Sequence, residues 1–246
     1  MLLPTVPRTR VRPTARPAIA TPFGPLTFVT AVGDTALPSL PEELFDLPGG
    51  RTIARWALPS ARVELLLTPY DAELDPDHWG PLTDCRAAVW RIDALAPLPR
   101  VWFSASVPEQ LPEGADAYWD GGQGLTAITV EDESTKLTIG GNDEEAICLA
   151  ADAREVPRRW AALLDEVYER SSTTWGVNVN TDADADRGIV WRLPPLEAGE
   201  HCELPVVAAW ASAADETENT WFAVMPSPTW LLRQAAAAVA TPPVAG

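Results

Sequence analysis

The sequence predicts a mainly β protein, an antiparallel β-sandwich with few helical segments. Three observations predict it. First, Arg187 to Trp210 alternates apolar and polar residues on both sides of a Pro/Gly turn, with Ile189, Trp191 and Leu193 before it and Cys202, Leu204, Val206, Ala208 and Trp210 after it. Such period-two burial reads as two antiparallel strands with one buried face each, joined as a hairpin. Second, 25 prolines break the chain into short apolar runs, which suits loop-rich β folds better than long helices. Third, helical periodicity is confined to two segments, near 154–170 and near the C-terminus.

Each element follows in order. Residues 1–24 carry Arg8, Arg10, Arg12 and Arg16 among prolines without periodicity and read as an extended arm. Residues 26–32 form the first strand. A loop at 38–50 holds at most a helical turn. Strands at 51–58 and 61–67 flank a tight connection at Pro59-Ser60, and 70–84 is a polar loop. Strands at 86–95 and 100–107 form a hairpin, followed by an acidic loop at 108–124 and short strands at 125–131, 136–139 and 145–150. Trp160, Leu163, Leu164, Val167 and Tyr168 share one face of an amphipathic helix over 154–170, with Asp152 and Glu155 resembling a capping box. Strands at 174–180, 187–193, 201–211 and 219–225 come next. A short C-terminal helix starts at Pro228 with Ser227 as its N-cap. The chain thus divides into an arm (1–24), a β-rich region (25–150), a helical connector (151–172) and a hairpin-rich region (173–240), and 25–240 can form one domain. Val89-Trp90-Arg91-Ile92 recurs as Val190-Trp191-Arg192-Leu193, which raises two sandwich-like halves as an alternative to chance likeness.

The segment LPPLEAGEHCEL (193–204) resembles the strand–turn–strand of immunoglobulin-like bacterial domains. The chain lacks the Cys…Trp…Cys spacing of true immunoglobulin domains, so the resemblance implies a sandwich and no particular activity.

Charge narrows the partners. The net charge is -17, with +4 in the first twenty residues and therefore -21 in the rest. A body this acidic repels nucleic acid and anionic membranes. Lys136 is the only lysine among the 18 basic residues, a mark of high-GC coding. Three cysteines without CxxC spacing imply reduced core thiols, not a disulfide framework. No signal-peptide core and no spanning apolar run is present, so a soluble, cytoplasmic location is expected.

Five groups of residues invite a chemical reading. Asp182, Asp184 and Asp186 follow Asn178 and Asn180 at alternate positions, as oxygen ligands of Ca²⁺ do; Arg187 and Leu193 stand where such a loop needs Gly and Glu, and a solvated acidic turn explains the same residues. Asp77 and His78 could form an acid–base pair, or sit on a surface loop anchored by Trp79. His201 and Cys202 point to opposite faces of one strand and cannot share a zinc ion. Trp90, Trp191 and Trp210 belong to the core by pattern, whereas Trp102 and Trp119 are candidate contact surfaces; Trp119 sits beside Tyr118 and between Asp116 and Asp120. The arginine arm could lie on the acidic surface of a neighbouring copy. No nucleotide, hydrolase or metalloprotease motif occurs, and no cofactor is implied. The leading expectation is a non-catalytic interaction or assembly protein, self-associating or bound to a protein partner, as in a larger cellular or phage-derived particle. The alternative is an enzyme or binding protein acting on a carbohydrate or other small molecule through carboxylates and Trp, with Asp77, His78, Asp116 and Asp120 as its first candidates.

Overall fold

The computed structural model describes residues 1–108, 110–122, 124–162, 181–184, 188–215 and 217–240, with backbone alone at 181–184 and 239–240. It contains two antiparallel sheets. The large sheet runs β1 (Thr9–Val11), β5 (Glu43–Leu47), β6 (Arg51–Ala57), β7 (Ala61–Pro69), β8 (Asp84–Ala94), β15 (His201–Ser212), β12 (Thr135–Asn142), β11 (Leu125–Glu131) and β10 (Asp116–Trp119) from edge to edge. The small sheet runs β13 (Thr181–Asp184), β14 (Gly188–Leu193), β9 (Val101–Ser106), β3 (Gly24–Val32) and β2 (Ala18–Thr21), with β4 (Thr35–Ala36) paired to β3. The mainly β class and the antiparallel pairing expected from the sequence are what the protein shows.

The sheets face each other across one apolar core. Trp90 on β8 touches Phe28 and Phe103 from the small sheet, at ring-centroid distances of 6.1 and 6.2 Å, and stacks on Trp56 at 5.9 Å. Phe103 stacks on Trp191 at 4.7 Å. Offset and edge contacts of this kind add to the energy of burying the rings. Trp191 needs a close partner: a Cβ on Gly141 would sit 2.7 Å from its Cζ2. Its indole N–H donates to the Asn142 carbonyl at 2.8 Å, which satisfies the buried polar atom.

The large sheet is apolar on its second face too. Phe45, Leu47, Ile53, Leu66, Val89, Leu125 and Val207 form a second core there. α2 (Asn219–Ala223), α3 (Pro228–Ala240) and the N-terminal residues cover it, through Trp221, Leu231, Leu2, Leu3 and Val6. Ser227 caps α3 by accepting from Trp230 N at 3.2 Å, as the sequence predicts.

Several elements differ from expectation. The strand read at 145–150 is α1 (Glu144–Ala153), whose N-cap Asp143 accepts from Ala146 N at 3.0 Å. Two acids in its first turn and buried Ile147, Ala150 and Ala151 at helical spacing explain the outcome. Residues 219–225 form α2 and a turn, not a strand, and 43–47 of the expected loop form β5. Helix is described at 159–162 of the expected 154–170 segment, and 163–170 lie outside the described residues, as does the strand read at 174–180. Arg154, in the left-handed region at φ 64°, ends α1, and Glu155 accepts from Thr229 N at 2.9 Å instead of closing a capping box.

Neither expected hairpin forms. β8 and β9 lie in opposite sheets, and so do β14 and β15. Both connections cross the open end of the sandwich, where Leu98 and Leu196 bridge. The two Val-Trp-Arg segments therefore lie in opposite sheets and contribute Trp90 and Trp191 to a single core. Prolines favour edge strands, and Pro205 alone would suggest one, but it lies on β15, a central strand paired to β8 and β12. It falls one residue beyond the Val206–Gly141 end of the β12 pairing, where a missing N–H removes no bond to that strand.

Candidate functional site

The candidate residues are spread over separate elements. Residues 1–24 make a turn at Leu3–Val6 and then contribute β1 to the large sheet and β2 to the small one. Arg8 donates to the Leu3 and Pro4 carbonyls at 3.2 Å each and lies 5.6 Å from the Phe45 ring centroid. Arg10 pairs with Glu43 at 3.2 Å, while Arg12 and Arg16 are exposed.

Asp77 and His78 occupy an exposed turn organised by Asp75. Its carboxylate accepts from Asp77 N at 3.0 Å and pairs with His78 Nδ1 at 2.8 Å. Trp79 then anchors the loop on Phe222 at 4.3 Å. No hydrogen bond or ion pair joins Asp77 or His78 to Asp116 or Asp120 among the described residues. Asp116 lies on the β10 edge opposite Glu131. Asp120 follows that strand and ends a string of hydroxyls. Its carboxylate accepts from Thr129 Oγ1 at 2.9 Å, Thr129 lies 3.1 Å from Thr138, and Thr138 donates to Thr220 at 2.8 Å. The three threonines are buried, so the string ties the β10 end to α2. The Trp221 indole adds a bond to the Asp120 carbonyl at 3.0 Å.

Trp102 sits half-buried on β9, between Ala31 and Arg192 in register. Trp119 is 57% exposed. Its ring lies against Gly121, where a Cβ would come within 2.6 Å of Cζ2. Tyr118 beside it donates to Glu131 at 3.3 Å, and burial, followed by Glu131, pushes its hydroxyl up to about 12. Among the described residues, β10 pairs only with β11. Asp120 N donates to Ala127 O at 3.0 Å, so by the alternation of antiparallel ladders the N–H and C=O groups of Ala117 and Trp119 point away from β11, toward the edge.

Asp182 and Asp184 lie on β13, opposite Val190 and Gly188, and their side chains and all of Asp186 lie outside the described residues. Among the described residues, no three His, Cys, Asp or Glu side chains are grouped to hold a metal ion. No described helix is long and apolar enough to cross a membrane.

Sequence reasoning missed a row of alternating charge on the second face of the large sheet. Glu43, Arg55, Glu64, Arg91 and Glu203 are register neighbours across five strands. Arg55 Nε donates to Glu64 at 2.6 Å, and Arg91 Nη1 donates to Glu203 at 2.5 Å and its Nη2 to Asp93 at 2.8 Å. Glu64 is buried and also accepts from Leu2 N. Beside the row lies a hollow of about 330 Å³, lined by Arg55, Ala57, Arg62, Glu64, Asp93 and Glu42. The only sequence signal was one charged residue between apolar neighbours in four of the five strands, at Arg55, Glu64, Arg91 and Glu203, which reads as ordinary solvent-facing alternation until the register is known.

No protein-family model matches the chain, and no curated protein does. Among solved structures, the chain is similar to one described as "Putative kojibiose phosphorylase from human microbiome", at 7% identity and a TM-score of 0.44. The likeness covers 96% of this chain and 29% of that one, so the chain spans under a third of that protein's length. At that score it carries no argument about fold or activity.

Proposed function

We propose that the protein is a non-catalytic assembly module that joins a second copy of itself edge to edge along β10. The observation that supports this is an edge strand with outward backbone groups at Ala117 and Trp119 and an exposed aromatic pair, Tyr118 and Trp119, beside them. A two-fold axis through Tyr118 sets β10 antiparallel to its mate, with Ala117 of each copy opposite Trp119 of the other. Exposed edges invite such addition, and exposed Trp and Tyr anchor interfaces.

Light scattering over a concentration series in moderate salt tests the reading. The parent should form a dimer, and Ala117→Pro should abolish it. The proline removes an outward N–H while leaving the ladder to β11 intact. A parent that stays monomeric, or an Ala117→Pro variant that still dimerises, ends the reading. A monomer whose Trp119 fluorescence shifts with added oligosaccharide would favour carbohydrate binding at the same aromatic pair.

A further inference from the structure

We propose that the hollow on the second face of the large sheet binds a small organic carboxylate carrying a neighbouring donor group, the chemistry shared by α-amino acids and α-hydroxy acids. This site is separate from the β10 edge and does not rest on its role.

The argument begins with the floor. Ala57 is opposite Arg62 in register, and Arg62 is opposite Asp93. One short side chain among long charged ones leaves the space of about 330 Å³, within the usual range for small-molecule sites. The second step is a census of charge. Three of the four carboxylates in the wall are engaged: Glu64 with Arg55, Leu2 N and the Met1 ammonium, Glu43 with Arg10 and Arg55, and Asp93 with Arg91. Two guanidinium groups keep open donors. Arg55 Nη2 is buried without a hydrogen-bond partner, and the guanidinium of Arg62 has no partner among the described residues. The Arg55 charge is already paired with Glu64 at 2.6 Å and lies 3.8 Å from Glu43, and only its Nη2 lacks an acceptor; a buried donor without one is costly, so an oxygen acceptor there is favoured. Planar guanidinium forks match a carboxylate best. On the rim, Glu42 accepts from Ala57 N at 3.2 Å, its one partner among the described residues, and can accept a further donor. An acceptor at Arg55 and Arg62 with a donor toward Glu42 describes a carboxylate with an adjacent ammonium or hydroxyl. The stems of the arginines and Ala57 supply an apolar wall for its side chain.

Four isosteric probes test this by calorimetry and by NMR shifts of the arginine side chains: leucine, its α-hydroxy acid, isocaproate and isoamylamine. The full chain should be used with any tag at the C-terminus, because Met1 lines the hollow. Leucine or its hydroxy acid should bind, and which one is tighter distinguishes ammonium from hydroxyl. Isocaproate should bind at least about tenfold more weakly and isoamylamine not at all. Arg62→Ala should weaken binding at least about tenfold with the thermal midpoint unchanged, since Arg62 is exposed and unpaired. Glu42→Gln should weaken the leucine complex and spare isocaproate. Failure of every probe to bind, isoamylamine matching leucine, or Arg62→Ala binding as tightly as the parent each overturns the proposal. Light scattering of the same variants reads the β10 edge separately.

Discussion

The three cysteines show how neighbours decide the chemistry of a side chain. Cys85 and Cys202 are buried on opposite faces of the large sheet, and desolvation, reinforced by Asp84 for one and by Glu203 and Asp93 for the other, pushes both thiols far up. A thiol that does not ionise is a poor nucleophile. Cys148 is half-buried on α1, with Sγ 3.9 Å from the Ala161 carbonyl. With a thiol-reactive aromatic disulfide at mildly alkaline pH, native protein should label at Cys148 alone, and all three should label in denaturant. Native labelling of Cys85 or Cys202 at a comparable rate would contradict this. Cys202 was legible from its strand, whereas Cys148 was not. At period two, Ala146, Cys148 and Ala150 share a face and look like a buried strand. At period 3.6 the buried set is Ile147, Ala150 and Ala151, and Cys148 turns toward the rim. The deciding signal, Asp143 as N-cap followed by Glu144 and Glu145, was present in the sequence.

Among elements, alternation revealed which face each strand buries but not which strand it pairs with. Leu193 and Cys202 both point into the core, yet one comes from the small sheet and the other from the large sheet. Hairpin partners and strands facing across a sandwich leave the same period-two pattern. The seven residues between β14 and β15 were the better clue, being long for a hairpin turn. This crossover is held by a carboxylate. Arg159, in the helical turn at 159–162, donates from Nε to Glu200 at 2.9 Å and from Nη2 at 2.7 Å, and Glu197 N donates to the same carboxylate at 2.7 Å. The Arg159 bonds, chiefly, hold Glu200 below its usual 4.5. A lowered carboxylate contributes stability above its unfolded value and loses it as pH falls through the folded one. Parent and Glu200→Gln should therefore differ in urea midpoint at neutral pH, and the gap should close as pH falls below 4.5. Asp143 shifts upward through burial and has the opposite trend, so the difference between the two proteins is the quantity to read, not the parent alone. A gap that is constant from neutral to acid would show that the Arg159 link does not couple to folding.

For the whole molecule, the class of fold was legible and its layering was not. Ile53, Leu66, Val89 and Val207 are buried on the face of the large sheet turned away from the small one, and the continuous apolar run from Leu204 to Ala211 is the sequence mark of burial on both faces. What covers the second face could not be read locally, because part of the cover is the Pro/Arg-rich start of the chain. Leu2, Leu3 and Val6 are buried there, and the next residues form β1 against β5. Fully burying such side chains contributes roughly 1.5–3 kcal/mol each. Three of them approach the roughly 5–15 kcal/mol that holds a whole domain together. Removing residues 1–8 should therefore leave a protein that unfolds at far lower urea than the parent, followed by Trp fluorescence. The arginines themselves matter less to folding. Arg10 makes an exposed pair with Glu43 at 3.2 Å, and exposed pairs are worth about 0–1 kcal/mol, so replacing Arg10, Arg12 and Arg16 by alanine should barely move the midpoint. The contrast separates two roles for one segment. A truncated chain with the parental midpoint would make the first residues an appendage free to act on another molecule. Collapse of the truncation beside a stable triple variant makes them part of the second core, held there by Leu2, Leu3 and Val6 and not by their arginines.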